Sequence, residues 1–297
     1  MNNYTGELAA LATSFCWSFG SIFFTFASRS IGSNAVNRIR LALALVLIVI
    51  VHVVTLGKLL PTEAMPATWL WFGISGVIGF AIGDSLLFRA FVLIGPRLSM
   101  LMMALAPVIG TVIAWLFLGE VLEPGEIAAI LITLLGIVLV IRETRESGGG
   151  RKKYFGGLLC GLGAAAGQAL GLVLSKKGLA SGLPSLSGNL IRVLAAVVFI
   201  WVFSISTGSF WPTIQKLKNG KAVRLLGGGV VLGPFLGVWL SLIAVQHAYV
   251  GIASTLMALP PIILIPLSHW IFKERITFLA LVGTLIAVGG VALIFVL

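Results

Sequence analysis

Apolar residues run along this chain in long blocks separated by short polar pieces, and the blocks recur from one end to the other. A helix that crosses a bilayer needs ~20 largely apolar residues. Reading the blocks between charges and turn signals predicts ten spans, over 6–28, 35–56, 67–93, 97–118, 124–141, 155–175, 187–207, 222–247, 251–271 and 277–297. The piece before the first block, Met-Asn-Asn-Tyr-Thr-Gly-Glu, lacks the basic stretch of a signal peptide, so that block is read as a retained span. The longest polar interruption runs from Arg142 to Lys153, and its mixed charges and three consecutive glycines mark a flexible linker. Five spans precede it and five follow. The expectation is an all-α polytopic membrane protein, with one five-helix unit over 1–147, a linker over 148–153 and a second unit over 154–297.

The two units echo each other. Shifting 73–141 onto 227–295 pairs Gly79 with Gly233, Gly83 with Gly237, Pro107 with Pro261 and Glu120 with Glu274. The same shift lays Met103-Ala104-Leu105 on Met257-Ala258-Leu259. Near the starts of the second and seventh spans, Asn37-Arg-Ile-Arg40 is echoed by Asn189-Leu-Ile-Arg192. An odd number of spans per unit makes the second copy enter from the opposite side. That is an inverted repeat with its pseudo-two-fold axis in the membrane plane, an architecture that places a substrate site between the halves near mid-membrane.

Composition narrows the class. With 59% apolar and 10% charged residues and a mean hydropathy of +1.13, the chain is neither a cytosolic enzyme, a disordered protein nor a secreted disulfide scaffold. The net charge of +11 would suit a nucleic-acid binder, but the basic residues are scattered between apolar blocks and form no basic face, so no nucleic-acid partner is expected. Their distribution instead reports topology. Sixteen of the twenty Lys and Arg fall in the odd-numbered loops and only Lys58, Lys176, Lys177 and Arg192 in the others, so both termini are expected outside the cytoplasm and no basic residue near a helix centre. Cys16 and Cys160 sit in apolar blocks and read as small fillers. The three histidines show no HxxxH or HExxH spacing and are expected at the interfaces, so neither a metal nor a cofactor is expected.

Candidate chemistry is sparse in such a chain. Gly79-xxx-Gly83, Gly163-xxx-Gly167-xxx-Gly171 and Gly229-xxx-Gly233-xxx-Gly237 each put small residues on one helix face, where backbones can pack closely. Pro107, Pro260 and Pro261 interrupt the fourth and ninth spans at equivalent places and are read as hinge or kink positions whose freed carbonyls line a cavity. Asp84 is the one acid inside a span; burying a charge there costs ~2.5–3.5 kcal/mol, so it should face a cavity or a partner, with Arg89 the nearest cation in sequence. It is read as an ammonium ligand, a proton-coupling group or a paired structural carboxylate. Ser14, Trp17 and Ser18 share one face of the first span, Gln168 sits in its repeat partner, and Trp239 and Ser254 fall in the eighth and ninth spans. Met103 and Met257 supply a deformable apolar wall. These residues are the candidate lining of a substrate cavity.

The segment from Met103 to Glu120, and its echo from Met257 to Glu274, resemble the fourth-helix signature of EamA-type carriers in the drug/metabolite transporter superfamily. The resemblance covers essentially the whole chain, and within the superfamily the sequence is similar to bacterial amino-acid exporters of the YddG type. It implies a secondary carrier in the bacterial inner membrane, alternating access, export of aromatic and other neutral amino acids, and no enzymatic activity. It also implies a small-molecule substrate and the lipid bilayer as partners, with the oligomeric state open and a monomer sufficient for function. Such relatives commonly keep their termini in the cytoplasm, unlike the expectation from charge. Carriage of other small metabolites or of lipophilic cations is the alternative. An intramembrane serine protease built on Gly73-Ile-Ser-Gly76 with His247 as base is a third, remote reading.

Overall fold

The computed structural model describes residues 4–118, 121, 123–144, 151–248 and 250–296. Glu120 and the glycines 148–150 of the expected linker lie outside the described residues. All regular structure among the described residues is helical. The first unit holds α1 (Thr5–Ile31), α2 (Ser33–Leu56), α3 (Pro66–Gly76), a π-helical segment π1 (Val77–Gly83), α4 (Asp84–Met103), α5 (Leu105–Leu118) and α6 (Pro124–Thr144). Then follow α7 (Arg151–Leu179), α8 (Ser185–Ser206), the short α9 (Phe210–Lys216), α10 (Gly220–Val230), a second π segment π2 (Val231–Gly237), α11 (Val238–His247), α12 (Val250–Met257), α13 (Pro260–Phe272) and α14 (Phe278–Val296). Residues 151–153, expected in the linker, are already helical.

Among the described residues eight helices are long and apolar enough to cross a membrane, so the protein is multi-pass. The difference from the ten expected spans has local causes. Residues 66–103 form one helical run that takes in the expected span 67–93 and the start of the expected span 97–118, and only Gly95, at φ 78 and ψ 167 just before Pro96, leaves helical geometry there. A left-handed φ of this kind costs glycine little and other residues more. The stretch from Gly220 to His247 is interrupted by π2, and α5 is a shorter apolar helix. Large apolar side chains such as Val46, Ile50, Leu131, Leu135 and Val202 stay more than half exposed on these helices, which suits contact with lipid tails. Val138 on α6 is 48% exposed, while Ala129, Thr133 and Val140 on the opposite face are buried against α14.

The duplication seen in sequence recurs as geometry. π1 and π2 each have 7 residues and begin at positions 77 and 231, the register of the sequence repeat. The helix also breaks at Ala104 and again after Met257, three to four residues before Pro107 and Pro261. Packing follows the same exchange. Gly6 meets the backbone of His247 and Ala248 on one side, and Gly157 meets Leu93 and Ile94 on the other. Gly20 touches Gly233 while Gly171 touches Gly79. Helices related by the repeat run in opposite directions where they touch: along α6, Thr133, Gly136 and Val140 meet Gly290, Ala287 and Gly283 of α14 in descending order. Small residues allow that approach, because a side chain on Gly136, Gly283 or Gly290 would collide with the partner backbone.

Candidate substrate cavity

The helices enclose a cavity of about 800 Å³ lined from both units. Its polar side is built where α2 meets π1. Winding residues 77–83 as a π-helix shifts the backbone pairing, so that the Asp84 N–H bonds Gly79 O, five residues back. Asn37, fully buried on α2, donates its amide to Phe80 O at 3.0 Å, Ala81 O at 3.2 Å and Ser85 Oγ at 2.9 Å. Its own oxygen accepts from Arg40 Nη2 at 3.3 Å. Arg40 Nη2 also reaches Asp84 Oδ2 at 2.5 Å, and both side chains line the cavity. The Arg40 guanidinium lies 5.3 Å from the centre of the Phe88 ring, and that of its repeat partner Arg192 lies 4.3 Å from Phe80.

Arg40 overturns two sequence expectations. Counted by sequence with the loop charges of one membrane face, it stands about 10 Å inside α2 at ~1.5 Å per residue, short of that helix's centre. It is also the partner of Asp84, whereas Arg89 is exposed on the far face of α4. Arg38 and Arg97 are buried too: Arg38 Nη1 donates to Thr213 Oγ1 at 2.8 Å, and Arg97 Nε to Glu274 Oε2 at 3.2 Å. The signal that could have found Arg40 and Asn37 was the Asn37/Asn189 and Arg40/Arg192 echo. Strongly polar residues at one register of two otherwise apolar helices need partners inside the protein.

Of the expected lining residues, Trp17, Asp84, Met103, Gln168, Ser254 and Met257 border the cavity, as do Pro107, Pro260 and Pro261. Ser14 and Ser18 do not. Ser18 donates to Ser14 O at 2.7 Å within α1, and Ser14 donates to Leu256 O. Leu256 is four residues before Pro260, which has no N–H to offer that carbonyl, so the hydroxyl takes over the missing donor's role. The side chain of Trp239 lies outside the described residues. Sequence reasoning missed the aromatic wall of Phe24, Phe80 and Phe88, as well as Asn189, which also border the cavity. Phe24 and Phe88 pack with ring centroids 5.0 Å apart.

Two other expectations are settled by contacts. Ser75 is buried, donates to Gly171 O at 2.6 Å and shares a 2.7 Å hydrogen bond with Ser175 Oγ, so it clamps α3 to α7 and has no histidine beside it. His52, expected at an interface, is buried between Lys58 O at 2.6 Å and Ser187 Oγ at 2.9 Å. Outside the spans, Glu63 is exposed; a backbone hydrogen bond and Lys58, 3.1 Å away, hold its carboxyl below the usual carboxylate range.

The chain is similar to a solved crystal structure, described only as that of a protein, with a TM-score of 0.63 and 18% identity over 99% of this chain and 96% of that one. At that identity the likeness speaks for the fold alone. No curated protein matches the chain. The model of the EamA-like transporter family matches twice, over residues 4–142 and 155–296. Those two matches cover nearly the whole sequence and both halves of its geometric repeat, and the chain therefore belongs to the EamA-like transporter family.

Proposed function

We propose that the protein is a secondary carrier of amino acids, favouring aromatic and other neutral ones, that exposes its central cavity alternately to the two sides of a bacterial inner membrane. The observation that carries this reading is the mixed lining of the cavity, in which Arg40, Asp84 and Gln168 stand among Trp17, Phe24, Phe88, Met103 and Met257. A small molecule with a charged head and an apolar side chain matches such a lining. In this reading Pro107, Pro260 and Pro261 are the kinks about which α5 and α13 rock, and the glycine contacts between α1 and π2 and between α7 and π1 are the smooth surfaces on which they slide.

The chain crosses the membrane ten times in this proposal, as two inverted five-helix units over 1–147 and 154–297. The antiparallel contact of α6 with its repeat partner α14 supports the inversion. A monomer suffices, since both units contribute to the cavity. Carriage of a lipophilic cation is less well matched, because Asp84 already has Arg40 as its counter-ion. The test is uptake of a labelled amino-acid panel into proteoliposomes, with and without an imposed pH gradient. Aromatic amino acids should equilibrate fastest. The gradient arm separates proton-coupled from facilitated transport, and movement of no amino acid overturns the reading.

A further inference from the structure

The Arg40–Asp84 contact is single-pronged. A guanidinium and a carboxylate frequently pair through two parallel hydrogen bonds. Here one nitrogen, Nη2, serves both Asp84 Oδ2 and Asn37 Oδ1. Among the described residues neither Arg40 Nη1 nor Asp84 Oδ1 has a hydrogen-bond partner. Neither group is sealed off, since Arg40 keeps 11% and Asp84 8% of its side chain accessible and both border the cavity. Gln168 Oε1 is another buried atom with no hydrogen-bond partner among the described residues, and it lies beside Arg192: a Cβ on Gly79 would fall 3.3 Å from Gln168 Oε1 and 3.5 Å from Arg192 Nη2.

The Arg40–Asp84 pair thus offers a donor edge and an acceptor edge side by side, charged and of opposite sign, with Lys176 also on the cavity lining and Arg192 behind Phe80 as further cations. We infer that Arg40 and Asp84 together read a zwitterion: Arg40 Nη1 takes the cargo's α-carboxylate, and Asp84 Oδ1 takes its α-ammonium. The inference rests on the amino-acid reading above and sharpens it. A net anion or net cation leaves one member of the pair facing a like charge or nothing, whereas a zwitterion satisfies both. Asn37 is a positioning residue here, because it fixes Nη2 and so aims Nη1 at the cavity. Trp17 and the Phe88 side of the wall then receive the cargo's side chain.

The test is competition against labelled phenylalanine exchange in proteoliposomes of the full chain, using phenylalanine, phenethylamine, 3-phenylpropionate and N-acetylphenylalanine. Unlabelled phenylalanine should compete, and each analogue lacking one charge should be at least ~10-fold weaker, as expected for one lost charge-assisted hydrogen bond. The double variant R40Q/D84N, which removes both charges at nearly constant shape, should weaken phenylalanine by a similar factor without weakening phenethylamine or 3-phenylpropionate. Size-exclusion chromatography establishes that the variant is folded, and the wild-type panel stands without it. Equal competition by the analogues, or a folded double variant that still discriminates, overturns the zwitterion reader while leaving amino-acid transport intact. Exchange of no amino acid overturns both.

Discussion

Replacing Asn37 by alanine should loosen the protein by about 2–4 kcal/mol, and the figure follows from what its amide does. Asn37 is fully buried and contacts three acceptors on π1 and α4 while accepting from Arg40. An amide carries two hydrogens, so about two of the three donated contacts act as full bonds at once. Interhelical hydrogen bonds inside membranes are worth ~0.6 kcal/mol on average and up to ~1.7 kcal/mol. Two such bonds and the bond from Arg40 give ~2 kcal/mol, and the carbonyls of Phe80 and Ala81 left without this donor raise it toward the upper figure. Asn37 has no exposure, so bulk water does not reach the site to replace the amide. The assay is reversible unfolding in mixed micelles against SDS mole fraction, followed by circular dichroism. Thr55→Ala is the control, since that exposed hydroxyl bonds only Val51 O of its own helix. An Asn37→Ala protein within ~0.5 kcal/mol of wild type would refute the claim that Asn37 holds π1 in place, since even one average membrane hydrogen bond exceeds that.

Adjacent glycines on α14 make an internal comparison. A Cβ at Gly290 would lie 2.5 Å from Thr133 N and 2.9 Å from Ala129 O, whereas at Gly289 it would meet nothing within 4 Å. Gly290→Ala should therefore lose ~1–3 kcal/mol in the same unfolding assay while Gly289→Ala does not, and equal effects would sink the close-packing account of α6 against α14. For orientation, moving the buried Arg38, Arg40 and Arg97 off one face and the helical Arg192 off the other leaves thirteen basic residues against three. Periplasmic-phosphatase fusions should be active at both termini and fluorescent-protein fusions dark; the opposite pattern would show that family habit outweighs charge here.

The order and approximate length of the helices were legible in the sequence because burial in lipid demands unbroken apolar runs, and that demand is local. The duplication was legible for the same reason: paired prolines and glycines at one register impose the same breaks and close contacts in both halves, as at Pro107 and Pro261 or Gly79 and Gly233. What composition could not supply was the identity of partners. Arg40 read as a membrane-edge charge because a sequence lists charges by position along the chain, and its partner Asp84 lies 44 residues away on another helix. Ser14 and Ser18 shared a helix face with Trp17, yet only Trp17 meets the cavity; the crossing of α1 by π2 and α12 decides which part of that face is covered. Nor do glycines and a proline announce a π turn; at π1 Asn37 of α2 donates to the Phe80 and Ala81 carbonyls, and at both π segments a neighbouring glycine packs close, Gly171 on Gly79 and Gly20 on Gly233. The sequence by itself determined that the chain belongs in a membrane as two copies of one helical unit. Only the tertiary structure decided which polar atoms meet, because hydrogen bonds and ion pairs reach a few ångströms in space and carry no trace of that distance along the chain.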